Sequence, residues 1–128
     1  MHETRQFPNA PRAVTDARRF TIGAIGEVGR DVRDDVAVMV SELASNSVRH
    51  GNSQFVVDVQ RTDEQIRVSV TDSAAGDPVV RNPTAREASG RGLQIVRALA
   101  DEWGVLPRRD GPGKTVWFTV MLGAPSPV

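Results

Sequence analysis

Cysteine is absent from the 128-residue sequence. That excludes disulfides and thiolate metal sites, and it fits a cytoplasmic protein. A surplus of either charge is missing too: sixteen Lys and Arg balance sixteen Asp and Glu, for a formal net charge of zero. General nucleic-acid binders carry a basic excess, so direct binding to nucleic acid is not expected. No apolar run approaches the ~18 residues of a membrane span, so no membrane partner is expected either. The opening MHETRQFPNAPR has no apolar core of the kind a secretory signal needs. Internal repeats and low-complexity blocks are lacking. The expectation is one soluble, cytoplasmic domain over residues 1–122, long enough to bury a core without staples, with residues 123–128 (GAPSPV) as a flexible tail.

Periodicity orders the rest. Residues 3–7 suit a short edge strand stopped by Pro8. Pro11 then opens a helix, with Val14, Ala17, Arg18 and Ile22 at helical spacing. A second helix is expected from about Asp31 to His50, with Gly51 at its C-cap and a buried stripe of Val36, Met39, Val40, Leu43 and Ser47. The period then switches to two. Phe55, Val57 and Val59 form one strand, and Ile66, Val68 and Val70 a second, joined as a hairpin around Thr62 to Glu64. A loop of about eighteen residues follows Asp72, a length that usually signals function or mobility. A third helix from about Gly92 to Glu102 would bury Leu93, Val96, Leu99 and Ala100. Trp103–Leu106 and Thr115–Leu122 read as two last strands. This order predicts an α+β fold: a two-layer α/β sandwich, its mixed and mostly antiparallel sheet carrying helices on one face.

The stretch Gly111–Thr115, GPGKT, invites comparison with a nucleotide phosphate loop. A Walker A loop needs glycine five residues before the G-K pair, and a helix after it. Arg108 stands at that position, and VWFTVML, which follows Thr115, reads as a strand. Without a helix N-terminus there is no amide array or dipole to hold phosphate. GPGKT is therefore read as a hairpin turn, with glycines supplying unusual backbone angles.

Three other stretches carry candidate chemistry. Along SELASNSVRHG, Glu42, Asn46 and His50 recur every fourth residue and so step ~40° apart on the helix. The Asn carbonyl oxygen is a hard-cation ligand, and Mg²⁺ takes few protein ligands beside phosphate and water. A neighbouring Glu can serve as general base. The same residues read about equally well as ordinary surface polars, and His50 as a helix-end residue favoured by the macrodipole. In RVSVTDSAAGDP, strand alternation puts Asp72 at the end of the apolar row of Ile66, Val68 and Val70. A buried carboxylate needs a donor, which the exocyclic amine of adenine or the amides of an Asx-turn would provide. In ASGRGLQIVRALAD, Gly90 and Gly92 open a helix whose free amides suit a phosphate, with Arg86 and Arg91 as nearby cations. A lone G-x-G is also common in loops that merely feed a core helix.

The order of these pieces resembles the Bergerat-fold (GHKL, histidine-kinase-like) ATP-binding domain shared by gyrase and the histidine kinases. The resemblance covers nearly the whole chain. Its E-x-x-x-N-x-x-x-H-G motif is met by Glu42, Asn46, His50 and Gly51, and its G-x-G-L-x-I-V motif by Gly90, Gly92, Leu93, Ile95 and Val96. Within that superfamily the small size and first motif look closest to bacterial anti-sigma-factor serine/threonine protein kinases. The resemblance implies ATP and Mg²⁺ as cofactors, Mg²⁺ on Asn46, Glu42 orienting or deprotonating the attacking hydroxyl, and Asp72 accepting from the adenine amine. It places the backbones of Gly90 and Gly92 close to the phosphates, makes the loop from Asp77 to Ser89 an ATP lid, and sets Gly113, Lys114 and Thr115 at the last box. It also implies protein partners: an anti-anti-sigma factor that accepts phosphate on Ser or Thr, a competing sigma factor, and often a second copy of the chain. A complete histidine kinase is not expected, since no segment with a phospho-acceptor His precedes the first motif.

One departure stands out. The family's adenine box usually reads D-x-G-x-G, whereas this chain reads Asp72-Ser73-Ala74-Ala75-Gly76. If the replaced glycine is left-handed, alanine there costs ~1–2 kcal/mol, about tenfold in affinity. A non-catalytic partner-binding module on the same fold is therefore an alternative, and a detached histidine-kinase ATPase domain a weaker one.

Overall fold

The computed structural model describes residues 1–50, 54–72, 92–107 and 113–123. In chain order these form strand β1 (His2–Phe7), helix α1 (Arg12–Ile25), helix α2 (Arg30–His50), strands β2 (Phe55–Arg61) and β3 (Gln65–Asp72), helix α3 (residues 92–99), and strands β4 (Glu102–Pro107) and β5 (Lys114–Met121). The five strands make one sheet in the order β1-β2-β3-β5-β4. The anticipated α+β class holds, and every pairing among the described strands is antiparallel.

Alternation gives the sheet one dry face. Phe55, Val57 and Val59 of β2, Ile66 and Val68 of β3 and Phe118 of β5 are fully buried. Helix α2 packs over β3 and β5, and α1 over β1 and β2. The stripe of α2 is the one the spacing predicts: Val36, Met39, Val40, Leu43 and Ser47 are all buried, joined by Ala44. That of α1 differs. Its buried residues are Ala13, Ala17, Thr21 and Ile25, while Val14, Arg18 and Ile22 flank them half-buried. The two alanines let α1 lie close to its neighbours, and the buried Thr21 hydroxyl is satisfied by donating to the Ala17 carbonyl at 2.8 Å. Arg18 instead reaches across to Ser41 of α2 at 3.2 Å. In α3, Val96 is fully buried and Leu93 and Leu99 pack against the core. No helix among the described residues is long and apolar enough to cross a membrane.

Two contacts fasten the edges. Phe7 of β1 stacks on Phe55 with centroids 5.5 Å apart and meets Phe20 of α1 edge-on at 5.8 Å. At the other end of the sheet, Arg61 donates to the carbonyls of Ile25 and Glu27, the latter at 2.9 Å. A cation at a helix C-terminus satisfies orphan carbonyls and the dipole together. Replacing Arg61 by Ala should lower unfolding stability by about 1.5–3 kcal/mol, read from the midpoint of urea denaturation at unchanged slope.

The outer face holds a polar cluster at β1. Asp58 accepts from His2 at 2.6 Å and from Thr4 at 2.7 Å. Desolvation pushes the Asp58 carboxyl up, but the hydrogen bonds from His2, Thr4 and Gln60 and the charge of His2 outweigh it, and the pKa is lowered overall. A carboxylate depressed on folding stabilises above its unfolded range and loses that contribution as pH falls through the folded value. Asp58→Asn should therefore destabilise the protein at neutral pH, and the difference from wild type should vanish in acid below the carboxylate range, as followed by chemical denaturation at both pH values.

Candidate functional site

Chain continuity sets the site at one end of the sandwich. Helix α2 ends at His50 and β2 begins at Phe55, so the short connection keeps the last turns of α2 near the row of residues that starts β2. Across the sheet that row reads Phe7, Phe55, Asp72, Lys114, Pro107. Asp72 is 9% exposed and closes the buried row of Ile66, Val68 and Val70, as strand alternation requires. Its neighbours on that face are the fully buried Phe55 on one side and Lys114 on the other. A carboxylate in so apolar a setting selects for hydrogen-bond donors.

Glu42 and Asn46 lie half-buried one turn apart on α2, ~6 Å along the axis at the helical rise. The carboxamide of Asn46 is unusual. Its Oδ1 is buried and has no hydrogen-bond partner. Its Nδ2 lies against Gly92 at the start of α3, where a Cβ on that glycine would come within 2.6 Å of it. Asn46 of the E-x-x-x-N piece and Gly92 of the G-x-G piece thus meet in space, and beside that contact lies a buried carbonyl oxygen without a hydrogen bond. That donor set fits a hard cation such as Mg²⁺, which prefers neutral or anionic oxygen and completes its shell with phosphate and water. Among the described residues no group of three His, Cys, Asp or Glu side chains converges as a metal site. Asn46 would therefore act with ligands brought by the nucleotide.

Other expected residues are placed differently. Gly113 has φ of +113°, in keeping with a turn, and Lys114 begins a strand rather than a helix, so the phosphate-loop alternative stays excluded. Lys114 shares the face of Asp72, but Thr115 points to the opposite face of the sheet, where its hydroxyl pairs with that of Thr71 at 2.7 Å. The structure does not bring the Thr115 side chain to the Asp72 row. Leu93 packs against the hydrophobic core. The site neighbour that sequence reading passed over is Phe55, whose ring flanks Asp72; hairpin register was the signal that could have found it. The His50 side chain, Gly51, Ala74, Gly76, Arg86, Gly90, Arg91 and Arg108 lie outside the described residues, as does the expected lid from Asp77 to Ser89.

The family model of the histidine kinase-like ATPase domain matches residues 7–120. That span takes in all of the described site, and the chain belongs to this family. No curated protein matches the sequence.

A buried, unpartnered carbonyl is a stability cost of about 1–3 kcal/mol, and asparagine is a poorer helix former than alanine by up to ~0.7 kcal/mol. Asn46→Ala should therefore leave the metal-free protein as stable as wild type or more so, by thermal and urea unfolding. An asparagine kept for structure alone would show the reverse.

Proposed function

We propose that this member of the histidine kinase-like ATPase family is a protein serine/threonine kinase of the anti-sigma-factor type. In this reading ATP with Mg²⁺ binds at the Asn46–Asp72 end of the sandwich, and the γ-phosphate passes to a Ser or Thr hydroxyl on an anti-anti-sigma partner. The protein in its other state sequesters a sigma factor. The observation that carries the reading is the Asn46 carbonyl oxygen, buried and unpartnered one helical turn after Glu42.

Each residue then has a defined task. Asp72 accepts a hydrogen bond from the exocyclic amine of adenine, with Phe55 as an apolar flank and Lys114 as the neighbouring cation. Asn46 Oδ1 would hold Mg²⁺, which would offset the charge of the phosphate oxygens. The N-terminal end of α3 turns its free amides toward the phosphates. Glu42, one turn nearer the middle of α2, orients the incoming hydroxyl and takes its proton as the oxygen–phosphorus bond forms and ADP leaves. Because α2 is fastened to the sheet by its buried stripe, Glu42 and Asn46 keep a fixed spacing without spending binding energy on order.

A second reading rests on Ala74, which stands where the adenine box has glycine. There the protein binds its partner on the same fold, with nucleotide weak or absent and no transfer.

Labelled ATP incubated with wild type and candidate partners separates the two. Acid-stable phosphate on a partner Ser or Thr supports the kinase. Glu42→Ala should then slow transfer by about 10²–10⁴-fold while nucleotide still binds, and Asn46→Ala should lose transfer together with Mg²⁺-dependent binding. Partner binding by a chain that takes up no Mg-ATP in calorimetry would sink the kinase reading.

A further inference from the structure

We propose that Gly92 is a positioning residue: its missing side chain is the seat of the Asn46 carboxamide, and it holds the Asn46 carbonyl oxygen where it would meet the cation. The inference rests on the reading of Asn46 as a Mg²⁺ ligand. It assigns Gly92 a task distinct from letting a backbone approach phosphate.

The geometry is specific. A Cβ on Gly92 would lie 2.6 Å from Asn46 Nδ2, 3.5 Å from its Cγ and 3.7 Å from Oδ1. Of these only the nitrogen contact is shorter than ordinary packing allows. The amide is therefore turned with its nitrogen toward the glycine and its oxygen elsewhere, buried and unpartnered. An asparagine side chain is nearly symmetric in shape but not in chemistry: one end donates, and only the other can ligate a cation. The gap at Gly92 takes up the nitrogen end of the amide, and that sets where the carbonyl oxygen lies.

Neither side of the contact is free to drift. Gly92 is itself buried, and one turn on, Val96 is fully buried in the core. Asn46 sits on α2 between Leu43 and Ser47, both buried. Adding a methyl at residue 92 would push the nitrogen from 2.6 Å to an ordinary contact, roughly 0.8 Å further. The carboxamide can yield by rotating, so the fold survives, but Oδ1 rotates with it. Ligand positions matter to about 0.2 Å in a metal site. The displacement is several times that tolerance.

The test uses the full chain with ADP as probe, measured by calorimetry with Mg²⁺ and with a chelator. The reading is the ratio of the two affinities. Wild type should show tighter binding with Mg²⁺. Gly92→Ala should reduce that ratio by about 10–100-fold, the usual effect of disturbing a residue that holds a ligand in place, and bring it to the value of Asn46→Ala. A ratio that keeps the wild-type value in Gly92→Ala, whatever happens to affinity overall, overturns the proposal, since glycine would then matter only for phosphate approach. A second readout needs no nucleotide. Gly92→Ala should lower the melting temperature when Asn46 is present and lower it clearly less in the Asn46→Ala background, because the two groups touch. Additive shifts would overturn the seat. If wild type binds no ADP, the nucleotide reading fails by itself and the melting-temperature cycle still decides whether Gly92 seats Asn46.

Discussion

A sheet with one dry face must be covered, and in this protein α2 covers its centre. Met39, Val40, Val36 and Ala44 are fully buried, and α2 packs over β3, the central strand, and its neighbour β5. Truncating a core residue of this kind costs about 2–5 kcal/mol, a large share of a typical stability of 5–15 kcal/mol. The helix is therefore held in rotation and in height by the hydrophobic effect. Polar residues on its flank inherit that precision. Glu42 and Asn46 are set by the same packing that closes the core, and the site needs no separate scaffold.

The rest of the end wall follows from register. Once β2 and β3 pair with Phe55 opposite Asp72, and β5 pairs with Lys114 opposite Asp72, Asp72 stands between Phe55 and Lys114 in one cross-strand row. Arg61 closes the far end of the same face by capping α1. The chain thus divides the inner face by function: a capped end that serves stability, and an end that carries Asp72 and the unpartnered carbonyl oxygen of Asn46.

How much of this was legible in the sequence depended on how local the determinant was. The stripe of α2 and the placing of Asp72 on the apolar face follow from periods of 3.6 and 2, and both were read correctly. In α1 Ala17 was read in place, but Ala13 and Thr21 were passed over, because Val14 and Ile22 outweigh them in hydrophobicity. Close helix packing favoured the small residues instead, and an i−4 hydrogen bond made Thr21 tolerable inside. Register was not legible, since the pairing of β3 with β5 joins segments about fifty residues apart. Hence Thr115 was grouped with Lys114, although alternation turns the two to opposite faces. The meeting of Asn46 with Gly92 is likewise tertiary: each motif could be quoted from the sequence, but not the contact between them.

That contact also shows why an orphan polar atom is informative only in company. Two buried side-chain oxygens among the described residues lack a hydrogen-bond partner, Asn46 Oδ1 and Thr119 Oγ1. Thr119 lies on the outer face with Arg67 and Glu102 as its cross-strand neighbours. Its hydroxyl can rotate. Asn46 differs. Its carbonyl direction is tied to its amide, and the residue against that amide is a glycine at the start of α3, where a Cβ would come within 2.6 Å of the amide nitrogen. A chain selected for stability alone would replace both, since alanine at residue 46 removes the orphan and the clash that forbids alanine at residue 92. An orphaned buried carbonyl and a glycine that makes room for its amide, at one point of contact, are hard to account for as packing. They are what a site requires when a carbonyl oxygen has to be kept bare for a ligand.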